Sequence, residues 1–146
     1  FLILQGIETL ALRMDRICAN SLKVAKYLQK HPKVRWVNYA GLPEHPSHAL
    51  AQKYMGGRAS GILTFGIDGG RAGGARFQDA LKLFVRLVNI GDAKSLACHP
   101  ASTTHRQLNP AELEKAGVSE DMVRLSIGIE HVDDLLADLE QALAAA

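Results

Sequence analysis

Between residues 123 and 143 the apolar spacing changes from two to three and four. Val123, Leu125, Ile127 and Ile129 alternate with Arg124, Ser126, Gly128 and Glu130, which is the period of a strand with one buried face. Val132, Leu135, Leu136, Leu139 and Leu143 then fall on one stripe of a helix, with Asp133 and Asp134 in its first turn, where the helix dipole favours acids. A one-sided strand followed at once by a one-sided helix points to a sheet with helices packed against it.

The rest of the chain reads in the same terms. Ile3, Ile7, Leu10, Met14, Ile17, Val24 and Leu28 recur at helical steps, predicting one long helix that ends at Lys30-His31 before Pro32. Val34 to Tyr39 is a short β-branched and aromatic run stopped by Gly41-Leu42-Pro43. Ser47 is placed to cap a helix running to about Met55, which Gly56-Gly57 terminates. Gly61 to Ile67 reads as a buried strand, and Asp68 to Gly74 as a glycine-rich loop before a helix from Ala75 to Phe84. That loop lacks the spacing of a phosphate cradle. Val85 to Ile90 reads as a further strand, and Asn109-Pro110-Ala111-Glu112 as an N-cap, a first-turn proline and a capping glutamate. Helices alternating with strands over 146 residues predict one domain, 1–146, of α+β or α/β class.

Composition removes several functions. With 47% hydrophobic and 22% charged residues the chain is not disordered. Its basic residues are scattered and its net charge is only +2, which argues against a nucleic-acid partner. No apolar run reaches the roughly 18 to 20 residues of a membrane span. Cys18 and Cys98 lie far apart, so no disulfide framework or paired-cysteine zinc site is signalled, and a reducing cytoplasm fits best. Phe1-Leu2-Ile3-Leu4 enters the amphipathic pattern without a Met and without signal-peptide features, so a piece of a longer chain is expected.

Chemistry is signalled weakly by spacing alone. Cys98, His99 and His105 lie close together but have no fourth ligand at a recognisable interval, so no metal site is assigned. No nucleophile elbow or zinc-protease motif is present, and none of the eight lysines is marked as desolvated. Two places stand out. Lys94 to His105 crowds hydroxyls, imidazoles and a proline into a non-periodic stretch, which reads either as a binding loop or as a solvated connection. Arg124 sits mid-strand among apolar residues, where it could grip a carboxylate with a two-pronged fork or pair on an edge with Glu130 or Asp121.

Four motifs then carry a family resemblance. Gly6-Ile7-Glu8-Thr9-Leu10 with Arg13-Met14, Asn89 to Leu96, His99 to His105, and Val123 to Glu130 resemble, in order, the C-terminal part of the Cys/Met-metabolism enzymes that use pyridoxal phosphate. The resemblance implies an α+β fold: the small C-terminal domain of a fold-type-I enzyme, with a long entering helix and an antiparallel sheet covered by helices. It implies that Arg124 binds the substrate α-carboxylate, with Ser95 beside it and Thr104 lining the same pocket. Within the family, Asp92 to Leu96 and His99 to His105 are most similar to the O-acetylhomoserine sulfhydrylase branch. Its γ-lyase and cystathionine relatives usually carry an acid where Lys94 stands. The implied reaction is γ-replacement, in which sulfide displaces acetate from a small amino-acid substrate, and the implied assembly is a homo-oligomer, a tetramer when intact. The family's cofactor lysine lies in a Ser-X-Thr-Lys context that none of these lysines has, so no catalytic or cofactor-binding residue is assigned here. The chain is expected to orient substrate and to be inactive alone.

Overall fold

The computed structural model describes residues 1–146. Its elements are α1 (Leu2–Glu8), α2 (Leu10–Lys30), β1 (Val34–Asn38), α3 (His48–Met55), β2 (Ile62–Ile67), α4 (Gly70–Ala80), β3 (Val85–Arg86), β4 (Leu96–Cys98), a 3-10 turn (Pro100–Ser102), α5 (Pro110–Lys115), β5 (Met122–Ser126) and α6 (Val132–Ala145). The five strands form one sheet in the order β1-β2-β5-β4-β3. Pairing is antiparallel from β1 through β2 and β5 to β4, and the two-residue β3 adds to β4 in parallel. No helix is long and apolar enough to cross a membrane.

The alternation at the end of the chain holds as far as Ile127, whereas Ile129 lies beyond β5 and is exposed. Val123, Leu125 and Ile127 are buried on one face, beside Leu63 and Phe65 of β2 and Ala97 of β4. Val24, Ala25 and Leu28 of α2, Phe77 of α4 and Leu135, Leu139 and Leu143 of α6 close that core. Phe77 meets Phe65 edge to face with ring centroids 5.6 Å apart, the geometry that the ring quadrupoles favour. A smaller cluster of Ala101, Leu113 and Val118, with Met122 against it, ties α5 and the 3-10 turn to the other side of the sheet.

Several local expectations change. The single long helix breaks at Thr9, whose φ of −103° and ψ of 3° leave the helical region. No residue of α1 is buried, so packing does nothing to straighten the joint, whereas α2 is buried from Ile17 onward. The glycine-rich segment is not a loop but the first turns of α4. Gly69 takes a positive φ of 88° ahead of it, and a side chain at Gly73 or Gly74 would strike the Asp68 carbonyl or the His99 ring. The glycines therefore serve close packing. The helix stops at Ala80, because the N–H groups of Lys82, Leu83 and Phe84 all turn to the carboxylate of Asp138 on α6.

Finally, only Val85–Arg86 of the strand expected to reach Ile90 pairs, and Leu96–Cys98, inside the non-periodic stretch, is a fully buried strand. Both Asn109 features are present: its side chain accepts from the Glu112 N–H at 3.0 Å, and Glu112 accepts from the Asn109 N–H at 2.9 Å. Ser47 holds the N-cap position of α3 without a side-chain bond, its own N–H donating to Nδ1 of His45 at 3.0 Å.

Candidate functional site

Arg124 stands on the central strand, not on an edge. Antiparallel register sets it directly between Thr64 of β2 and Cys98 of β4, on the face opposite Val123 and Leu125. It is half-buried and forms no ion pair with either expected carboxylate. Asp121 instead accepts from Trp36 Nε1 at 3.2 Å and pairs with Arg35 at 3.8 Å. Glu130 is engaged by Ser95. The guanidinium donates to the Asn89 carbonyl at 3.4 Å. Burial pushes the Cys98 thiol up from its ordinary pKa, and the adjacent guanidinium opposes that rise.

The same face carries two buried hydroxyls without a protein partner, those of Thr64 and Ser126. Thr64 is the cross-strand neighbour of Arg124, and Ser126 is two residues along β5. Buried polar atoms are nearly always paired. Two orphans beside a cation without a carboxylate make this the least internally satisfied part of the sheet.

The other expected residues are differently placed. Ser95 is fully buried; its hydroxyl donates to Glu130 Oε2 at 2.9 Å and accepts the Gly128 N–H at 2.8 Å, while its N–H donates to Glu130 Oε1 at 2.6 Å. Thr104 is exposed just past the 3-10 turn, with its hydroxyl 2.8 Å from His105 Nδ1. The first part of that loop is rigid: His99 is fully buried, bonded through Nε2 to the Glu120 carbonyl at 2.9 Å and through Nδ1 to the Ser102 hydroxyl at 2.8 Å. The Ser102 hydroxyl also donates to the His99 carbonyl at 3.3 Å, and because the Glu120 carbonyl only accepts, Nε2 of the His99 ring carries a proton. Burial lowers its pKa below the ordinary 6.5.

Two polar residues on apolar stripes had not been singled out as functional. Asn20, at helical spacing between Ile17 and Val24, donates to the carbonyls of Gly128 at 3.1 Å and Glu130 at 2.9 Å. Asp138, three residues after Leu135, binds the turn that leads into β3. A polar residue at a stripe position was the available signal for both.

The comparisons give this geometry a context. The family model for Cys/Met metabolism PLP-dependent enzymes matches residues 1–144. The chain is 54% identical over 144 residues to O-acetyl-L-homoserine sulfhydrylase 1 of Thermus thermophilus, covering 99% of this chain and 34% of that protein. It is 56% identical over 142 residues to O-acetyl-L-homoserine sulfhydrylase of Leptospira meyeri, with 97% and 32% covered. It is 51% identical over 144 residues to L-methionine gamma-lyase of Pseudomonas deceptionensis, with 99% and 36% covered. A crystal structure described as an O-acetylhomoserine (thiol)-lyase from Campylobacter jejuni, containing a pyridoxyl-lysine monophosphate, superposes with a TM-score of 0.91 at 46% identity, over 98% of this chain and 34% of that one. The chain thus spans about a third of the length of the relatives it matches.

The residues present do not themselves fit the family's cofactor. Seven lysines are exposed, and the eighth, Lys33, spends its ammonium on the Leu143, Ala144 and Ala146 carbonyls at the end of α6. None sits in the buried pocket that a Schiff-base lysine needs, and the glycines of α4 are filled by the chain's own Asp68 and His99. What the fold leaves on the central strand is a half-buried guanidinium without a carboxylate partner, and in sequence and in fold the chain belongs to the Cys/Met-metabolism family of pyridoxal-phosphate-dependent enzymes.

Proposed function

We propose that this chain, residues 1–146, is the substrate-orienting C-terminal domain of a sulfhydrylase that converts O-acetylhomoserine and sulfide to homocysteine and acetate. The observation that carries the reading is Arg124: a half-buried guanidinium on the central strand with no carboxylate of its own. A planar fork in that position suits the α-carboxylate of an amino acid. Holding that group fixes the reacting carbon relative to groups supplied by the rest of the enzyme, a positioning contribution to catalysis. Ser95 contributes through the segment it anchors, and Thr104 from the exposed end of the 99–105 loop. On this reading the chain works within a longer polypeptide and a homo-oligomer, and has no activity alone. The exposed apolar side chains of α1, with Leu2 at 80% exposure, offer surface for that packing.

The test is substitution in a full-length enzyme carrying this chain. Arg124→Leu removes a charge-assisted fork worth roughly 2 to 5 kcal/mol where the pair is desolvated, so kcat/KM for O-acetylhomoserine falls by about 30-fold or more. Arg124→Lys recovers part of the loss, and cofactor binding is unchanged. Normal efficiency in Arg124→Leu, or loss of the cofactor in place of substrate, refutes the assignment. The similarity to L-methionine gamma-lyase supports a second reading, γ-elimination from methionine. Product formation from methionine without added sulfide favours it; strict dependence on sulfide and an O-acylated substrate favours the sulfhydrylase.

A further inference from the structure

Glu130 follows β5 and is half-buried, yet it pairs with no Lys, Arg or His. Its carboxylate reaches 35 residues back along the chain and takes both donors of Ser95, the N–H at 2.6 Å and the hydroxyl at 2.9 Å. The turn that carries it is braced from α2. Asn20 donates to the carbonyls of Gly128 and Glu130, and Arg16 Nη2 donates to the Glu130 carbonyl at 3.4 Å. Gly128 has no room for a Cβ, because the backbone of Ala93 and Lys94 lies against it. The Ile129 N–H donates to the Ala93 carbonyl at 3.0 Å.

Partial burial of a carboxylate disfavours its charge unless donors replace the lost water. Here both donors come from one residue, at the point where the exposed segment 87–94 returns to the sheet. That segment is stiffened internally by Asp92, which accepts the Lys94 N–H at 3.0 Å. Its Asn89 carbonyl is the group on which Arg124 rests.

We propose that Glu130 is a positioning residue for the carboxylate site: by gripping Ser95 it sets where the 89–94 segment stands beside Arg124, and so where the guanidinium points. This rests on the reading of Arg124 given above.

In the full-length enzyme, Glu130→Ala raises KM for O-acetylhomoserine by about tenfold, the scale of one lost charge-assisted hydrogen bond. The turnover number, the KM for sulfide and the bound-cofactor absorbance stay within about twofold. Glu130→Gln keeps an acceptor for the Ser95 N–H and opposes the hydroxyl with an amide, so it gives an intermediate rise of about threefold. The double variant Glu130→Ala/Ser95→Ala raises KM no further than Glu130→Ala alone, because the two act in series. Asn109→Ala, which breaks the cap of α5, serves as a destabilised control with unchanged KM. An unchanged KM in Glu130→Ala while Arg124→Leu loses efficiency overturns the inference and leaves the Arg124 reading standing; no loss in Arg124→Leu overturns that reading itself. Equal KM rises in Glu130→Ala and Asn109→Ala overturn the positioning role in favour of general loosening. Should Glu130→Ala not fold, Glu130→Gln decides, a raised KM supporting the proposal and an unchanged one refuting it.

Discussion

Asp138 is a buried carboxylate that ties α6 to the turn before β3. It is 6% exposed on α6 and accepts the N–H groups of Lys82 at 2.9 Å, Leu83 at 2.8 Å and Phe84 at 3.0 Å, with Gln141 Nε2 donating at 2.9 Å. Backbone bonds to a charged acceptor are worth about 1.5 to 3 kcal/mol each, which sets a ceiling of roughly 4 to 9 kcal/mol for the three. Lys82 is exposed and Leu83 is 37% exposed, so water can replace the carboxylate for those two, whereas Phe84 at 5% stays dry. Asp138→Ala is therefore expected to destabilise the chain by about 3 kcal/mol. With a urea slope of about 1.5 kcal/mol per molar, the unfolding midpoint drops by about 2 M. Asp138→Asn, with its oxygen at the Leu83 and Phe84 side, keeps two bonds and turns an amide toward Lys82 and Gln141; a loss of about 1 to 1.5 kcal/mol follows. Equilibrium unfolding followed by circular dichroism reads both. The reasoning fails if Asp138→Ala loses less than about 1 kcal/mol with an unchanged slope, or if Asn and Ala lose the same amount.

Two further outcomes are expected. His99 is held neutral by burial, with the charge of Arg71 lowering its pKa further and the Glu120 carbonyl and the charges of Asp121 and Glu120 opposing the shift. The unfolded chain takes up its proton first, so stability is full above about pH 6.5 and declines below it by at most about 1.4 kcal/mol per pH unit, a slope that urea midpoints between pH 5 and 8 detect and that His99→Gln removes. Mixing the 146-residue chain with pyridoxal phosphate and reducing with borohydride labels exposed lysines without selectivity, read by peptide mass spectrometry; stoichiometric capture of one lysine contradicts the assignment of the cofactor site to another part of the enzyme.

Local chemistry made much of the chain legible. The change of period after residue 123, the Asn109 capping box and the helix stop before Pro32 each depend on residues within one or two turns, and each is present. What stayed hidden depends on distant partners. The glycines of α4 look like a loop until Asp68 and His99 are seen to fill the space above them. β4 is three residues long and buried throughout, so it has no alternation to read. Arg124 was visible as an oddity, but an edge and a central strand look alike in one dimension, and the order β1-β2-β5-β4-β3 decides between them. The Glu130–Ser95 and Asn20–Gly128 bonds span 35 and 108 residues, beyond any spacing rule.

The place of β5 in the sheet also governs the order in which the chain can acquire structure. β5 pairs with both β2 and β4, so until residues 122–126 have left the ribosome the sheet exists only as separate halves with unpaired rims. α6, which follows it, supplies Leu135, Leu139 and Leu143 to the core. Assembly in which the central pairings arrive last is slow, because long loops must close before their contacts form. During that interval Leu63, Phe65 and Ile67 of β2 lack the partner strand that covers their edge in the finished sheet, the kind of transiently exposed apolar surface from which aggregation starts.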